Sequence, residues 1–230
     1  MFEKMANINN ENLILHHIGS RGGSRSFPTN INFESEMVNI LYEADEECIE
    51  QIKTVYEASL SSFMIYPYCI SDKIEEVDFN ICYDPNLSSF LNPNNLQYDY
   101  YYFNGLYDYS FREASKVIKK KKLYTVTLDE IYLKNKDKFF LPDFISLDTQ
   151  GSELRIVNGS PICIKNSLAA ILEVSFIEFY ENQPCFDEII KDMQSKGYEF
   201  IRFTNSVEQI TSKYPIGLRS KGRFVDGDCL

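Results

Sequence analysis

The stretch "ISLDTQGSEL", Ile145 to Leu154, sets two carboxylates and an amide, Asp148, Glu153 and Gln150, around Gly151, directly behind an apolar run. A short apolar run bounded by turn residues reads as a buried strand. A carboxylate at its end faces whatever lies beyond the sheet. Two other clusters have the same form. Gly19-Ser20-Arg21-Gly22-Gly23 follows the run "NLILHHI", and Glu43 follows "MVNILY". Ligands of open parallel sheets bind outside the carboxyl ends of the strands, and an acid roughly twenty residues after a glycine turn commonly accepts hydrogen bonds from ribose hydroxyls. The three clusters together predict an adenosine-type ligand.

The glycine spacing separates two such ligands. A dinucleotide site favours GxGxxG, so that the backbone approaches a pyrophosphate at a helix N-terminus. This chain has GxxGG, and "SRSFPTNINF" behind it carries Pro28 and little helical periodicity. S-adenosylmethionine has no phosphate to cradle and carries a sulfonium cation, so a glycine turn plus carboxylates suffices for it. Methyl transfer to a hydroxyl profits from a base, and the candidates are Asp148, Glu173 and His17. His16 and His17 are the only histidines; strand alternation puts one toward the core and one toward the mouth of the site. The tyrosines between Tyr98 and Tyr109 suit either a stacking platform for a sugar or packing on a loop. No spacing of His, Cys, Asp or Glu demands a metal.

Strand-like and helix-like segments alternate, the signature of a mostly parallel sheet covered by helices. "NLILHHI", "MVNILY" and "SFMIYPYCI" read as the first three strands, the third broken by Pro67 and therefore at or near a sheet edge. Asp45 is a good N-cap for the helix in which Cys48, Ile49, Ile52, Val55 and Tyr56 recur at helical spacing. "VDFNICY" alternates like a strand. "SFREASKVIKKKK" reads as a helix whose Lys119–Lys122 run is a solvated last turn. "LYTVTL" is a strand, with Asp129 capping "EIYLKNK". "DFISLD", a short helix ending at Gly159, the strand "AAILEVSF", a helix from Phe186 to Gly197 and the strand "YEFIRF" complete the series. "RFVDGDCL" reads as a last strand cut short, as in a piece of a longer chain. The expected organisation is an N-terminal extension, 1–12, and a single domain, 13–230.

The 230 residues are 44% hydrophobic and 25% charged, the balance of a soluble globular protein. A net charge of −11 argues against nucleic acid, since neutralising phosphates needs a basic face. No run approaches the roughly 20 apolar residues of a membrane span. The six cysteines are scattered without a CxxC pair, which points to a reducing, cytoplasmic setting.

"LPDFISLDTQGSELRIVNGS" and the following "AAILEVSFIEFYENQPCFDEIIKDMQSKGYEFIRF" resemble the FkbM-type methyltransferases, a branch of the class I S-adenosylmethionine-dependent fold. "ISD" at Ile70 to Asp72, "DPNLSSFL" and "VTLDEI" match the family's middle section. The resemblance implies a three-layer Rossmann-like α/β fold, a mostly parallel seven-stranded sheet with helices on both faces. It implies O-methylation of a hydroxyl on a saccharide or related small-molecule acceptor. By position, Gly19, Ser20, Arg21 and Gly23 would line the turn under the methionine part of the cofactor and Glu43 would hold the ribose. Ser71 and Asp72 would meet the adenine edge, Asp148 would lie near the sulfonium, Glu153 would brace the turn and Glu173 would stand at the next strand end. Two departures from the family pattern are His17, where an acid precedes the glycine turn, and Leu147, where a lysine precedes the aspartate. Two other readings stay open: a Rossmann-type NAD or nucleotide-sugar enzyme, and a cofactor- or partner-binding domain without turnover.

Overall fold

The computed structural model describes residues 2–4, 12–22, 37–59, 62–98, 101–102, 111–136, 140–211 and 223–230. They divide into two compact units. The first comprises Met1–Val77, Leu123–Thr149 and Glu153–Leu172; the second comprises Asp78–Lys122, Gln150–Ser152 and Glu173–Leu230.

The first unit is built on β1 (Phe2–Lys4), β2 (Ile14–Ile18), β3 (Val38–Tyr42), β4 (Ser62–Tyr66), β9 (Phe144–Leu147) and β10 (Ala169–Ser175), which lie in the order β1-β4-β3-β2-β9-β10. Strands β4, β3, β2, β9 and β10 run parallel; β1 adds antiparallel at the edge. In register, His17 lies opposite Leu41 on one side and Ser146 on the other. All five residues of β2, of β3 and of β4 are buried, as expected of parallel strands covered on both faces. The expectation that one histidine reaches the mouth of the site is therefore not met: His16 and His17 are both fully buried.

Helix α1 (Glu46–Ser59) follows β3, its N-terminus held by Asp45, whose Oδ1 accepts from the Glu47 amide at 3.2 Å. Cys48, Ile49, Ile52 and Tyr56 recur every three or four residues and pack on Leu41, Phe63 and Ile65, whereas Val55, expected with them, is exposed because it falls off that stripe. Pro67 ends β4; the chain re-enters a second, three-stranded sheet through β5 (Cys69–Ile70), with order β5-β8-β6. Strand β6 is Glu76–Cys82 and β8 is Val117–Val126, and most of each belongs to the second unit, which takes Asp78–Lys122. Helices α4 (Leu128–Lys134), α5 (Glu153–Gly159) and α6 (Pro161–Asn166) complete the first unit.

Asp129 does not cap its own helix. Thr127 is the N-cap of α4, its Oγ1 accepting from the Glu130 amide at 3.0 Å. The Asp129 carboxylate instead accepts from the Ile162 and Cys163 amides of α6 at 2.7 and 2.9 Å. The Leu128 amide donates in return to Ser160 Oγ at 3.1 Å. Each helix start thus supplies what the other's unpaired N–H groups need.

In the second unit, the end of β10, β12 (Arg223–Cys229), β11 (Phe203–Thr211) and β7 (Tyr101–Tyr102) follow in that order. Strands β11 and β12 pair antiparallel, as do β11 and β7. Its core joins Leu91, Phe111, Ile177, Phe179, Tyr180 and Val225. Short helix α2 is Asn95–Tyr98, and α7 (Phe186–Ser195) stops before Gly197, whose φ is +95°. "YEFIRF" joins the sheet only from Phe203 onward; before that, the Ile201 amide donates to the Leu230 carbonyl at 2.8 Å.

The lysine run departs most from expectation. Helix α3 is only Phe111–Ala114, and Lys119–Lys122 lie in β8. The Ala114 and Lys116 carbonyls accept from the Asp84 and Tyr83 amides at 2.9 Å each, which diverts the backbone out of the helix. Lys122 then pairs with Asp78 of β6 at 2.9 Å. β-Branched Val117, Ile118, Thr125 and Val126 at the two ends suit a strand. The chain is α/β with a mostly parallel, Rossmann-like sheet. Among the described residues, no helix is long and apolar enough to cross a membrane.

Candidate active site at the strand tips

Parallel strands end on the same side, so β2, β3, β4 and β9 present their carboxyl tips together. Backbone hydrogen bonds stitch these tips. The Gly19 amide donates to the Tyr42 carbonyl (3.0 Å), the Glu43 amide to the Tyr66 carbonyl (3.1 Å) and the Asp148 amide to the Ile18 carbonyl (2.9 Å). Gly19, Glu43 and Asp148, far apart in sequence, are therefore neighbours on three adjoining strands.

Only glycine fits at position 19. Its φ is +86°, and a Cβ there would stand 1.7 Å from the Asp148 carbonyl oxygen. The chain then makes a single 3₁₀ turn, Ser20–Gly22. Ser20 is fully buried; its hydroxyl lies 3.1 Å from the Tyr42 carbonyl and 3.2 Å from that of His17, so it serves the turn itself. Arg21 turns to the tip of β3 and pairs with Asp45 at 2.5 Å. Gly23, expected in the same turn, lies outside the described residues.

Glu43 is 5% exposed, and its Oε1 accepts from the Asp45 amide at 2.8 Å. Burial is the largest influence on it and raises its pKa above the ordinary carboxyl value, outweighing that amide and the nearby Arg21. The carboxylate is desolvated further than its local donors offset. The sequence pointed to Asp45 only as a cap. The structure gives it three further roles: its amide orients Glu43, its Oδ2 neutralises Arg21 and the Cys48 thiol leans on that same oxygen at 3.8 Å. A signal was present in the Glu-x-Asp spacing just past the strand.

Ser71 and Asp72 follow β5. The Ser71 amide donates to the Val126 carbonyl at 3.0 Å, and its hydroxyl donates to Asp72 Oδ1, also at 3.0 Å. Gly159, which the sequence suggested only as a helix stop, sits against this pair. A Cβ there would lie 2.3 Å from Asp72 Cα, so the end of α5 fixes where Asp72 is held.

Behind Asp148 the turn is braced by Glu153, whose Oε1 accepts from the Thr149 amide (2.8 Å) and hydroxyl (3.0 Å). Glu153 is 2% exposed; burial first, with the Asp148 charge adding, lifts its pKa to about 7. His16, deeper in β2, places its ring nitrogens 2.9 Å from the Phe140 carbonyl and 3.2 Å from the Tyr42 hydroxyl. Desolvation lowers its pKa to about 3. Nε2–H therefore donates to Phe140 and Nδ1 accepts from Tyr42. His17, the penultimate residue of β2, is fully buried. Among the described residues, no group of three His, Cys, Asp or Glu side chains could hold a metal ion.

In the second unit, Glu173 is half-buried within β10, the first residue past the pairing with β9, which ends at Leu172 and Leu147. Its Oε2 accepts from Gln150 Nε2 at 2.7 Å. Gln183, before Pro184, is buried and ties Ser175 Oγ to its own turn, donating from Nε2 at 2.9 Å and accepting from the Tyr180 amide at 3.1 Å. Of the tyrosine-rich segment, 99–100 and 103–109 lie outside the described residues, so a stacking platform there has no structural account.

No curated protein and no solved structure matches this chain. The profile of the methyltransferase FkbM domain matches residues 29–200, three quarters of the chain, a span that holds Glu43, Asp72, Asp148 and Glu173. The chain belongs to the FkbM methyltransferase family.

Proposed function

We propose that the protein is an S-adenosylmethionine-dependent methyltransferase that methylates a hydroxyl, on a saccharide or related metabolite by the resemblance of its motifs. The observation that supports this most directly is the meeting of Gly19, Glu43 and Asp148 at neighbouring carboxyl tips of parallel strands, where ligands of such sheets bind. The residues fit the cofactor. Glu43 is a buried carboxylate short of donors, and a pair of ribose hydroxyls would supply them. The turn at Gly19 would pass under the methionine part, Ser71 and Asp72 would meet the adenine edge, and Asp148 would offset the cationic end.

When bound, the cofactor supplies a methyl carbon activated by its sulfonium. The chain's own residues then orient the acceptor and remove its proton. Orientation alone contributes roughly 7–11 kcal/mol to such reactions. Proton removal by a carboxylate adds on the order of 10²–10⁴ in rate. Asp148 and Glu173 are the candidate carboxylates for taking that proton. Fully buried His17 is the weaker candidate for that role.

The burial of His17, where family members carry an acid, favours one second reading: a cofactor-binding domain without turnover. Titration calorimetry with S-adenosylmethionine, S-adenosylhomocysteine and NAD tests the main proposal. Binding of the first two is expected, and NAD binding alone would assign the site to a nucleotide enzyme. Glu43→Ala should weaken cofactor binding by about 1–3 kcal/mol. Unchanged affinity in a folded variant removes Glu43 from the site. Transfer of a labelled methyl group to saccharide acceptors separates turnover from binding alone.

A further inference from the structure

The second unit carries a chain of hydrogen bonds centred on Gln150. Its φ is +56°, a left-handed conformation that costs a non-glycine residue about 1 kcal/mol or more, and Gly151 follows at +95°. Glycine would adopt position 150 with less strain, so the side chain is what the position requires. The backbone is held firmly there. The Gln150 carbonyl accepts from Ser89 Oγ at 2.9 Å, and a Cβ at Gly151 would come within 3.1 Å of Leu91, Tyr180 and Gln183.

The side chain points two ways. Nε2 donates to Glu173 Oε2 at 2.7 Å, and Oε1 accepts from the Tyr180 hydroxyl at 3.2 Å. Tyr180 is 2% exposed and its hydroxyl also lies 2.9 Å from the Leu87 carbonyl, so its position is fixed from both sides. The hydroxyl has one proton to share between Oε1 and the nearer Leu87 carbonyl, so it does not decide the sense of the amide; an ionised Glu173 oxygen at 2.7 Å does, because it can only accept. The reversed amide would press one oxygen against another unless Glu173 were protonated.

We infer that Gln150 is a positioning residue that holds Glu173 as an aimed, ionised carboxylate. The inference rests on the reading above, in which Glu173 takes a proton from the acceptor hydroxyl; a base must be deprotonated before it can act. A hydrogen bond donated to the charged form favours that form. Packing alone would be served as well by an apolar side chain of the same length.

The test is a carbon-detected NMR titration of the protein labelled at the glutamate side-chain carboxyl carbons, with Glu173→Gln used to assign the resonance. Gln150→Met is expected to raise the Glu173 midpoint by about one pH unit while the thermal melt stays cooperative. A wild-type midpoint in Gln150→Met overturns the inference. Should that variant fail to fold, Gln150→Glu decides: two facing carboxylates must share a proton and drive one midpoint sharply up, and unmoved midpoints overturn the inference. Calorimetry on the same wild-type sample keeps the two claims apart. Absence of S-adenosylmethionine binding defeats the methyltransferase reading whatever Gln150 does, and an unmoved midpoint defeats the role of Gln150 even where the cofactor binds.

Discussion

Two buried carboxylates of the first unit, Glu43 at the strand tips and Asp129 in the helix layer, look alike by exposure, at 5% and 7%. They differ in what surrounds them. Both oxygens of Asp129 accept backbone amides of α6, so the site is complete within the protein. Glu43 Oε1 takes the Asp45 amide, yet burial still dominates and lifts its pKa. Burial alone therefore does not mark a functional acid. The useful measure is whether local donors offset the desolvation, because a shortfall is what a ligand can fill. Glu153 stands between the two: well supplied by Thr149, and still raised by burial and by Asp148.

The largest effect expected concerns the frame that keeps the tips together. Gly19→Ala puts a Cβ into the Asp148 carbonyl at a left-handed φ. The tips of β2 and β9 must separate, at a cost on the order of 4 kcal/mol or more. Chemical denaturation should show that loss, and a surviving fold should no longer bind cofactor. A variant as stable as the wild type and still binding would mean that the tips need not touch, which breaks the comparison at its functional end.

Asp129→Ala addresses the structural end. It leaves the Ile162 and Cys163 amides without their acceptor, and charge-assisted bonds of this kind contribute about 1.5–3 kcal/mol each. A loss of about 3 kcal/mol in urea unfolding is expected, with the calorimetric affinity for cofactor unchanged in the folded fraction. Weakened cofactor binding at equal folded population would show that Asp129 belongs to the site after all.

The tips were the part most open to sequence reasoning. Buried parallel strands are short apolar runs, and the polar residue that ends each run marks its tip. Ile145–Asp148 and Met37–Glu43 have that form. What could not be read depends on partners distant in the chain. A lysine run is solvent-compatible in a helix or in a strand, and only the pairing of β8 with Asp78 and the backbone bonds to Tyr83 and Asp84 decide for the strand. Asp129 satisfies a local capping pattern, yet its partners lie more than thirty residues on. Gln150 meets Glu173 and Tyr180 only after the turn adopts its left-handed form. The alternation rule also failed for His16 and His17, because a strand covered on both faces has no exposed side to alternate toward.

The smallest effect concerns Glu153, and it appears as a slope with pH. Burial and the neighbouring Asp148 raise its carboxyl from an ordinary 4.5 to about 7. Between those values the folded protein keeps a proton that the unfolded chain has released, so this group makes folding less favourable as pH rises through that window and leaves it level above. His16 acts with the opposite sign. Its pKa falls from 6.5 to about 3, so acidification below 6.5 protonates the unfolded chain first and destabilises the fold. The two slopes oppose one another between about pH 4.5 and 6.5. Glu153→Gln keeps the contacts to Thr149 within reach of an amide oxygen and removes one of the slopes. The variant's stability relative to the wild type should rise from pH 5 to pH 8, by at most about 3 kcal/mol on the 1.36 kcal/mol carried by each pH unit. Urea unfolding at matched ionic strength measures this directly. A stability difference that does not change with pH would mean that Glu153 is ionised in the folded state throughout. It would then be a charge held by its donors, and the ordering of the three acids by how well the protein supplies them would lose its middle member.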